Sequence, residues 1–322
     1  MSELTIIAGC GYLGSFLARE LLAAGRPVIG LTRQEATAAA LTATGIPALA
    51  CDLTDPASLD ALRGRALPPV GREPGNGTPA SLSGFPLRVV HCAASGRGGR
   101  AEHYRAIYLE GCRNLRAAFP HAQRFFFTSS TSVYPQIDGE IVTESSPAIP
   151  LRETGRLLRE TEDETLAAGG LVGRLAGIYG PGRSVLLKNF LSGQSVIDVR
   201  TAAPPTPDGR WVNQIHVRDA ARAILHLLDL PPLIFSGPFP PAGPRLWNIA
   251  DSTPLLQRAL YTGLSQRFQL PLPPEAPPDL DRKRGWTHKQ VSNALLCSTG
   301  WQPLYPDWFQ ALDSGAIITK EG

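Results

Sequence analysis

Charge is scarce in this chain and nearly balanced: of 322 residues, 31 are Lys or Arg and 28 are Asp or Glu, a formal net charge of +3. Only 18% of residues are charged and no dense Lys/Arg run occurs, so nothing marks nucleic acid as the main ligand. Long apolar runs are absent too, and none approaches the length that spans a bilayer. Met1-Ser2-Glu3-Leu4 leads straight into an apolar segment with no room for a secretory leader, so a cytoplasmic protein without a membrane partner is expected. Cysteine is sparse. The five residues Cys10, Cys51, Cys92, Cys112 and Cys297 are odd in number and contain no Cys-x-x-Cys pair, which supports neither a disulfide framework nor a zinc site. Cys10, Cys51 and Cys92 fall in or beside strand-like runs and read as small buried hydrophobes. With 43% hydrophobic residues, the chain is long enough for one large α/β unit or two domains.

Gly9-Cys10-Gly11-Tyr12-Leu13-Gly14 follows the apolar run Thr5-Ile6-Ile7-Ala8 and opens a segment with Leu13, Phe16, Leu17 and Leu21 at helical spacing. Strand, glycine turn and helix in this order form a dinucleotide-binding fingerprint. Gly9 permits the tight turn, Gly11 lets the backbone approach a pyrophosphate, and Gly14 allows close helix–strand packing. Tyr12 and Leu13 sit between them at the helix N-terminus that would face the phosphates. The second strand-like run, Pro27 to Leu31, ends at Thr32-Arg33, where an acid would bond the ribose 2′-hydroxyl of NAD. No acid stands there, and Arg33 offers a planar cation suited to a 2′-phosphate. NADP(H) is therefore favoured over NAD(H), the other reading being a solvated strand-end charge with Glu35 two residues on.

Six strand-like runs alternate with helical ones through the first half: Thr5 to Ala8, Pro27 to Leu31, Ala48 to Cys51, Arg88 to Cys92, Arg124 to Thr128 and Leu171 to Leu175. They predict an α/β fold with a doubly wound parallel Rossmann sheet over residues 1–180. Residues 66–86, rich in Pro, Gly and Ser, carry little apolar periodicity and read as a flexible surface insertion. Beyond Gly180, Pro-rich stretches separated by helices, notably Val217 to Leu228, predict a smaller substrate-binding lobe over residues 181–322. A small-molecule substrate is expected between the lobes, beyond the carboxyl ends of the strands.

The strand Arg124 to Thr128 runs into Ser129-Ser130-Thr131-Ser132-Val133-Tyr134, a hydroxyl cluster at a strand end. Together with Gly9 to Gly14, Asp52-Leu53, His91-Cys92-Ala93-Ala94, Arg174 to Arg183 and Asn213 to Ala221, this run resembles the extended short-chain dehydrogenase/reductases, in their NAD-dependent epimerase/dehydratase branch. Gly155-Arg156 leading to Glu160, Val291-Ser292-Asn293, and Gly300-Trp301 to Tyr305-Pro306 resemble its atypical YeeZ-like subgroup. The resemblance implies that Asp52 and Leu53 flank the adenine, that Ala93 and Ala94 line the phosphate–ribose path, and that Ser130 hydrogen-bonds the reacting oxygen. It also implies an oxidoreductase or epimerase-like enzyme and a homodimer paired through helices such as Glu102 to Phe119 and Thr154 to Ala168.

One departure limits the transfer. The family's acid/base pair is a Tyr followed four residues later by a Lys, which acidifies the phenol enough to serve near neutral pH. Here the matching positions are Thr154 and Leu158, and no Tyr-x-x-x-Lys occurs anywhere. Tyr134, four residues after Ser130, is the substitute expected at the catalytic end. Arg152, Arg156 and Arg159 are candidates for an acidic substrate or the ribose, and Arg183, after a Gly-Pro-Gly turn, for substrate contact; an Arg cannot act as general base at ordinary pH. The alternative for Arg152, Arg156 and Arg159 is a solvated face matched with Glu160, Glu162 and Glu164. His216 is placed beneath a substrate pocket by the resemblance, although a lone His is more often a structural residue. A non-catalytic NADP(H)-binding redox sensor or interaction protein is the competing functional class.

Overall fold

Seven short apolar segments build the central sheet. In the computed structural model, which describes residues 3–63, 82, 85–96, 100–231, 243–280 and 286–317, these are β1 (Leu4–Ala8), β2 (Val28–Thr32), β3 (Ala48–Ala50), β4 (Leu87–His91), β5 (Arg124–Ser130), β6 (Leu171–Leu175) and β7 (Leu246–Ile249). Every residue of β1, β2 and β6 is buried, the pattern of parallel strands covered on both faces by helices. The strand order is β7-β6-β5-β4-β1-β2-β3. Successive strands step outward from β1 through β2 and β3 on one side, and from β4 onward on the other. The order therefore reverses between β1 and β4, which pair in parallel with Ile6 opposite Val89. In such a sheet the ligand crevice opens beyond the carboxyl ends of the strands at that reversal.

The helices follow from the same apolar periodicity. Helix α1 (Tyr12–Ala23) buries Leu13, Leu17, Ala18 and Leu21 on one face. Helix α2 spans Glu35–Ala43. Helix α3 (Pro56–Arg63) begins with Pro at its first position, and the Asp55 carboxylate accepts from Ala57 N at 3.0 Å, capping an otherwise unpartnered amide. A π-helical turn, Arg105–Glu110, precedes the helix Gly111–Ala118. Helices α4 (Glu153–Ala167) and α5 (Val217–Asp229) complete those used below.

The chain forms two compact units, one from Met1–Ser129, Arg156–Gly173 and Ala221–Leu246, the other from Ser130–Gly155, Arg174–Ala220 and Trp247–Gly322. Segments alternate because a doubly wound sheet recruits later helices, α4 and most of α5, to its own unit. A single cut at residue 180 therefore does not describe the division. The first unit has a core that includes Leu4, Ile6, Ile29, Leu59 and Val89. The second packs Tyr179, Phe190, Leu260, Leu264 and Trp308. Of the stretch 66–86, residues 66–81 and 83–84 lie outside the described residues. Leu82, by contrast, is 5% exposed within the first unit's core and Phe85 packs against it. Among the described residues no helix is long and apolar enough to cross a membrane.

Candidate functional site

The glycine turn after β1 is tied to the neighbouring strand. Gly9 N and Cys10 N both donate to Leu31 O, at 3.0 and 2.8 Å, and Gly11 N donates to Gly9 O at 2.7 Å. Gly9 has φ +88°, and a Cβ there would sit 2.3 Å from the Ala93 Cα. A Cβ on Gly14 would sit 2.8 Å from Gly9 O and 3.0 Å from Ile7 Cγ2. Both positions exclude a side chain because protein fills the space. At Gly11 the reason differs. It caps α1 without any side-chain hydrogen bond, and nothing lies within 4 Å of where its Cβ would be. A concave backbone, open at Gly11 and backed by a helix N-terminus, fits a pyrophosphate. The side chain of Leu13 points into the core at 7% exposure, so only its backbone can serve a ligand. Tyr12 is half-buried, edge-on to Phe16 at 5.6 Å. Cys10 is sealed against Gly30, and burial pushes its thiol up to about 12, which makes it an inert packing residue.

Arg33 is exposed immediately after β2, two residues beyond the carbonyl that anchors the glycine turn. Asp52 is half-buried after β3. Its Oδ1 accepts from Thr54 N at 2.9 Å and Thr54 Oγ1 at 2.7 Å, and its own N–H donates to Ser58 Oγ. Leu53 is 8% exposed, with its carbonyl held by Asn114 Nδ2 at 3.0 Å. Ala93 and Ala94 follow β4, the first half-buried and the second exposed, with Ala93 closing on Gly9. The first unit thus brings residues 9–14, 33, 52, 53, 93 and 94 to the carboxyl ends of β1 to β4.

Two further features of this unit went unread in the sequence. His91, the last residue of β4, is fully buried and its Nε2–H donates to Ile107 O at 3.0 Å; burial lowers its pKa to about 4, so the ring is neutral. Tyr108, next to that carbonyl, accepts from Ser95 N–H at 3.4 Å. At the end of β5, Ser129 Oγ donates to Glu162, a fully buried carboxylate that also pairs with Arg159. Glu162 is therefore no part of a solvated face, although Arg113 with Glu164 and Arg159 with Asp163 do form surface pairs. Leu158 is buried at 3% exposure, Thr154 is half-buried and Arg156 is exposed.

In the second unit, Ser130 is half-buried and its Oγ accepts from Ser132 N at 3.2 Å, heading the short turn Thr131–Val133. Tyr134 is placed otherwise than its spacing suggested. It is fully buried, its hydroxyl accepts from Arg174 Nη1 at 2.7 Å, and Thr143 O and Asn248 Oδ1 lie at 2.9 Å as acceptors. The Arg174 guanidinium also lies over its ring at 4.7 Å. Burial raises its pKa, with Arg174 opposing. This phenol is a structural tie inside its unit, since its oxygen accepts from Arg174 and its single proton faces two acceptors. His216 is structural as well: 2% exposed, Nδ1 accepting from Arg218 N and Nε2–H donating to Ala316 O, with burial lowering its pKa. Arg183 is exposed at a turn in which it and Gly180 exchange backbone hydrogen bonds. Lys289, also unread, is 3% exposed and donates to Tyr134 O at 2.8 Å and Thr287 Oγ1 at 3.1 Å.

The TrkA-N domain family matches residues 5–65, the segment that contains the glycine turn. A solved protein of Methylobacillus flagellatus, described as an NAD-dependent epimerase/dehydratase, is 30% identical over 98% of this chain and 97% of its own, with a TM-score of 0.67. A conserved protein of Silicibacter pomeroyi of unknown function is 24% identical over 98% of this chain and 100% of its own, at 0.66. The UDP-glucose 4-epimerase of Thermus thermophilus, solved with NAD, is 19% identical over 95% of both chains, at 0.69, and shares the fold. No curated protein matches the chain.

Proposed function

The chain belongs to the NAD-dependent epimerase/dehydratase family, and on that premise we propose that it binds NADP(H) at the glycine turn and acts as an oxidoreductase or epimerase-like catalyst on a small molecule. The observation that carries this reading is the difference among the three glycines. Gly9 and Gly14 are closed by protein while Gly11 opens on empty space at a helix N-terminus. When bound, the dinucleotide would supply hydride chemistry. The chain would hold its diphosphate with the backbone of residues 11–13, its adenosine end beside Asp52 and Leu53, and its 2′-phosphate with Arg33. Ser130 would polarise the substrate oxygen, and Arg156 and Arg183 would meet an acidic substrate. Within the family we place the chain with the YeeZ-like subgroup, on the motifs at Gly155-Arg156, Val291-Ser292-Asn293 and Gly300-Trp301. Pairing of two copies through Gly111–Ala118 and α4 is part of the same proposal.

A second reading is favoured by one observation. Leu158, which the resemblance sets at the family's lysine position, is buried at 3% exposure; without that lysine the usual proton relay would be lost, which fits a non-catalytic NADP(H)-binding sensor. Both readings require the cofactor. Titration of NADPH into the full chain, followed by its own fluorescence, should saturate. Gly11→Val should weaken binding by at least about tenfold while far-UV circular dichroism stays unchanged, because the new side chain enters ligand space and touches no protein. Wild-type protein that does not bind, or a folded variant that binds as well as wild type, would overturn the reading.

A further inference from the structure

With Leu158 in the core and Tyr134 committed to Arg174, the positions at which the sequence sought a proton donor offer none. Another phenol stands beside β4 and β5, in ring contact with His91 and Phe127. Tyr108 lies on the π-helical turn Arg105–Glu110, a distortion that clusters at functional sites. Its oxygen accepts from Ser95 N–H at 3.4 Å, and Ser95 belongs to the loop that leaves β4 and closes, through Ala93, on Gly9. The hydroxyl is therefore held against the β4 side of the crevice that begins at the glycine turn. The ring is braced from three directions, with centroids 4.9 Å from Tyr104, 6.3 Å from Phe127 and 6.4 Å from His91. The bond from His91 Nε2 to Ile107 O fixes the backbone one residue away. Tyr108 itself is half-buried, with its ring packed and its oxygen at the loop.

We propose that Tyr108 is the proton-donating phenol of this site, touching the nicotinamide end of the bound dinucleotide and the substrate oxygen; the proposal rests on the cofactor reading above. A phenol with an ordinary pKa of about 10 is a poor base but stays protonated at neutral pH, so without a lysine it suits the reductive direction. There the carbonyl carbon gains the hydride of the reduced nicotinamide and the π pair moves to oxygen. That oxygen takes the Tyr108 proton, and the phenolate recovers a proton from water. Atoms and charge balance with NADPH as the only reductant.

The test needs no substrate. The oxidised nicotinamide ring is cationic and the reduced ring is neutral, so a phenol in contact with the ring is more acidic with NADP⁺ than with NADPH. The full chain, labelled with ζ-¹³C tyrosine, is titrated with base by NMR in the presence of each dinucleotide. One resonance, missing from Tyr108→Phe, should titrate about one pH unit lower with NADP⁺ than with NADPH. The Phe variant keeps the three ring contacts and should bind both dinucleotides. If both bind and the Tyr108 resonance titrates identically with each, or if the shifted resonance survives in the variant, the assignment is wrong. Failure of either dinucleotide to perturb any resonance or to bind saturably would overturn the cofactor reading, and this proposal with it.

Discussion

Lys289 shows how much a single buried charge can set. Its ammonium has two oxygen partners, Tyr134 O and Thr287 Oγ1, and the charge closest to it in effect is Arg210, of the same sign. Burial first, and Arg210 second, lower its pKa from 10.5 to about 7. Between those values the unfolded chain holds a proton that the folded chain releases, so raising the pH favours the fold. Wild-type stability, measured by urea unfolding, should therefore rise relative to Lys289→Met between pH 7 and pH 10, by a few kcal/mol. The comparison with the variant cancels the titration of cysteines and tyrosines elsewhere. Parallel pH profiles for the two proteins would mean that Lys289 is solvated or finds an acid. At this scale the sequence was legible where backbone shape dictates the residue: Gly9 takes the positive φ of a tight turn and Gly14 packs too closely for a side chain, as their spacing implied. It was not legible for hydroxyls. Spacing from Ser130 pointed to Tyr134 and nothing in the sequence singled out Tyr108; the contacts of Arg174 with one and Ser95 with the other are visible only in three dimensions.

Elements were legible in proportion to their regularity. All six strands of the first half appear within about a residue or two of the runs that predicted them, as expected for apolar segments buried on both faces. The seventh, Leu246–Ile249, was hidden behind the Pro-rich stretch 231–244, where composition argued for loop alone. Glu162 was hidden by its charge. Yet Leu158, Thr161, Glu162 and Thr165 share one buried stripe of α4 at helical spacing, and that period was the available signal. Leu82 is a similar case: a core residue inside a segment whose composition reads as surface. Leu82→Ala should cost about 2–4 kcal/mol in equilibrium unfolding, the range for a buried leucine. A cost near zero would show that Leu82 contributes nothing to the core of the first unit.

The whole molecule is a family fold with a nucleotide-binding Rossmann sheet in its first unit, and Leu158 lies buried on α4 of that unit. Fold class followed from the alternation of strand and helix signals. The division into units did not, because α4 and most of α5 come back in space to a sheet they leave in sequence. Selection of a 2′-phosphorylated dinucleotide by the glycine turn and Arg33 together is the proposal on which the functional reading turns. Its most direct test is isothermal calorimetry of NADPH and NADH on the wild type and on Arg33→Ala. NADPH should bind more tightly than NADH to the wild type, with about 1–3 kcal/mol of that preference lost in the variant, as for a charge-assisted hydrogen bond. Equal or tighter binding of NADH by the wild type would contradict it.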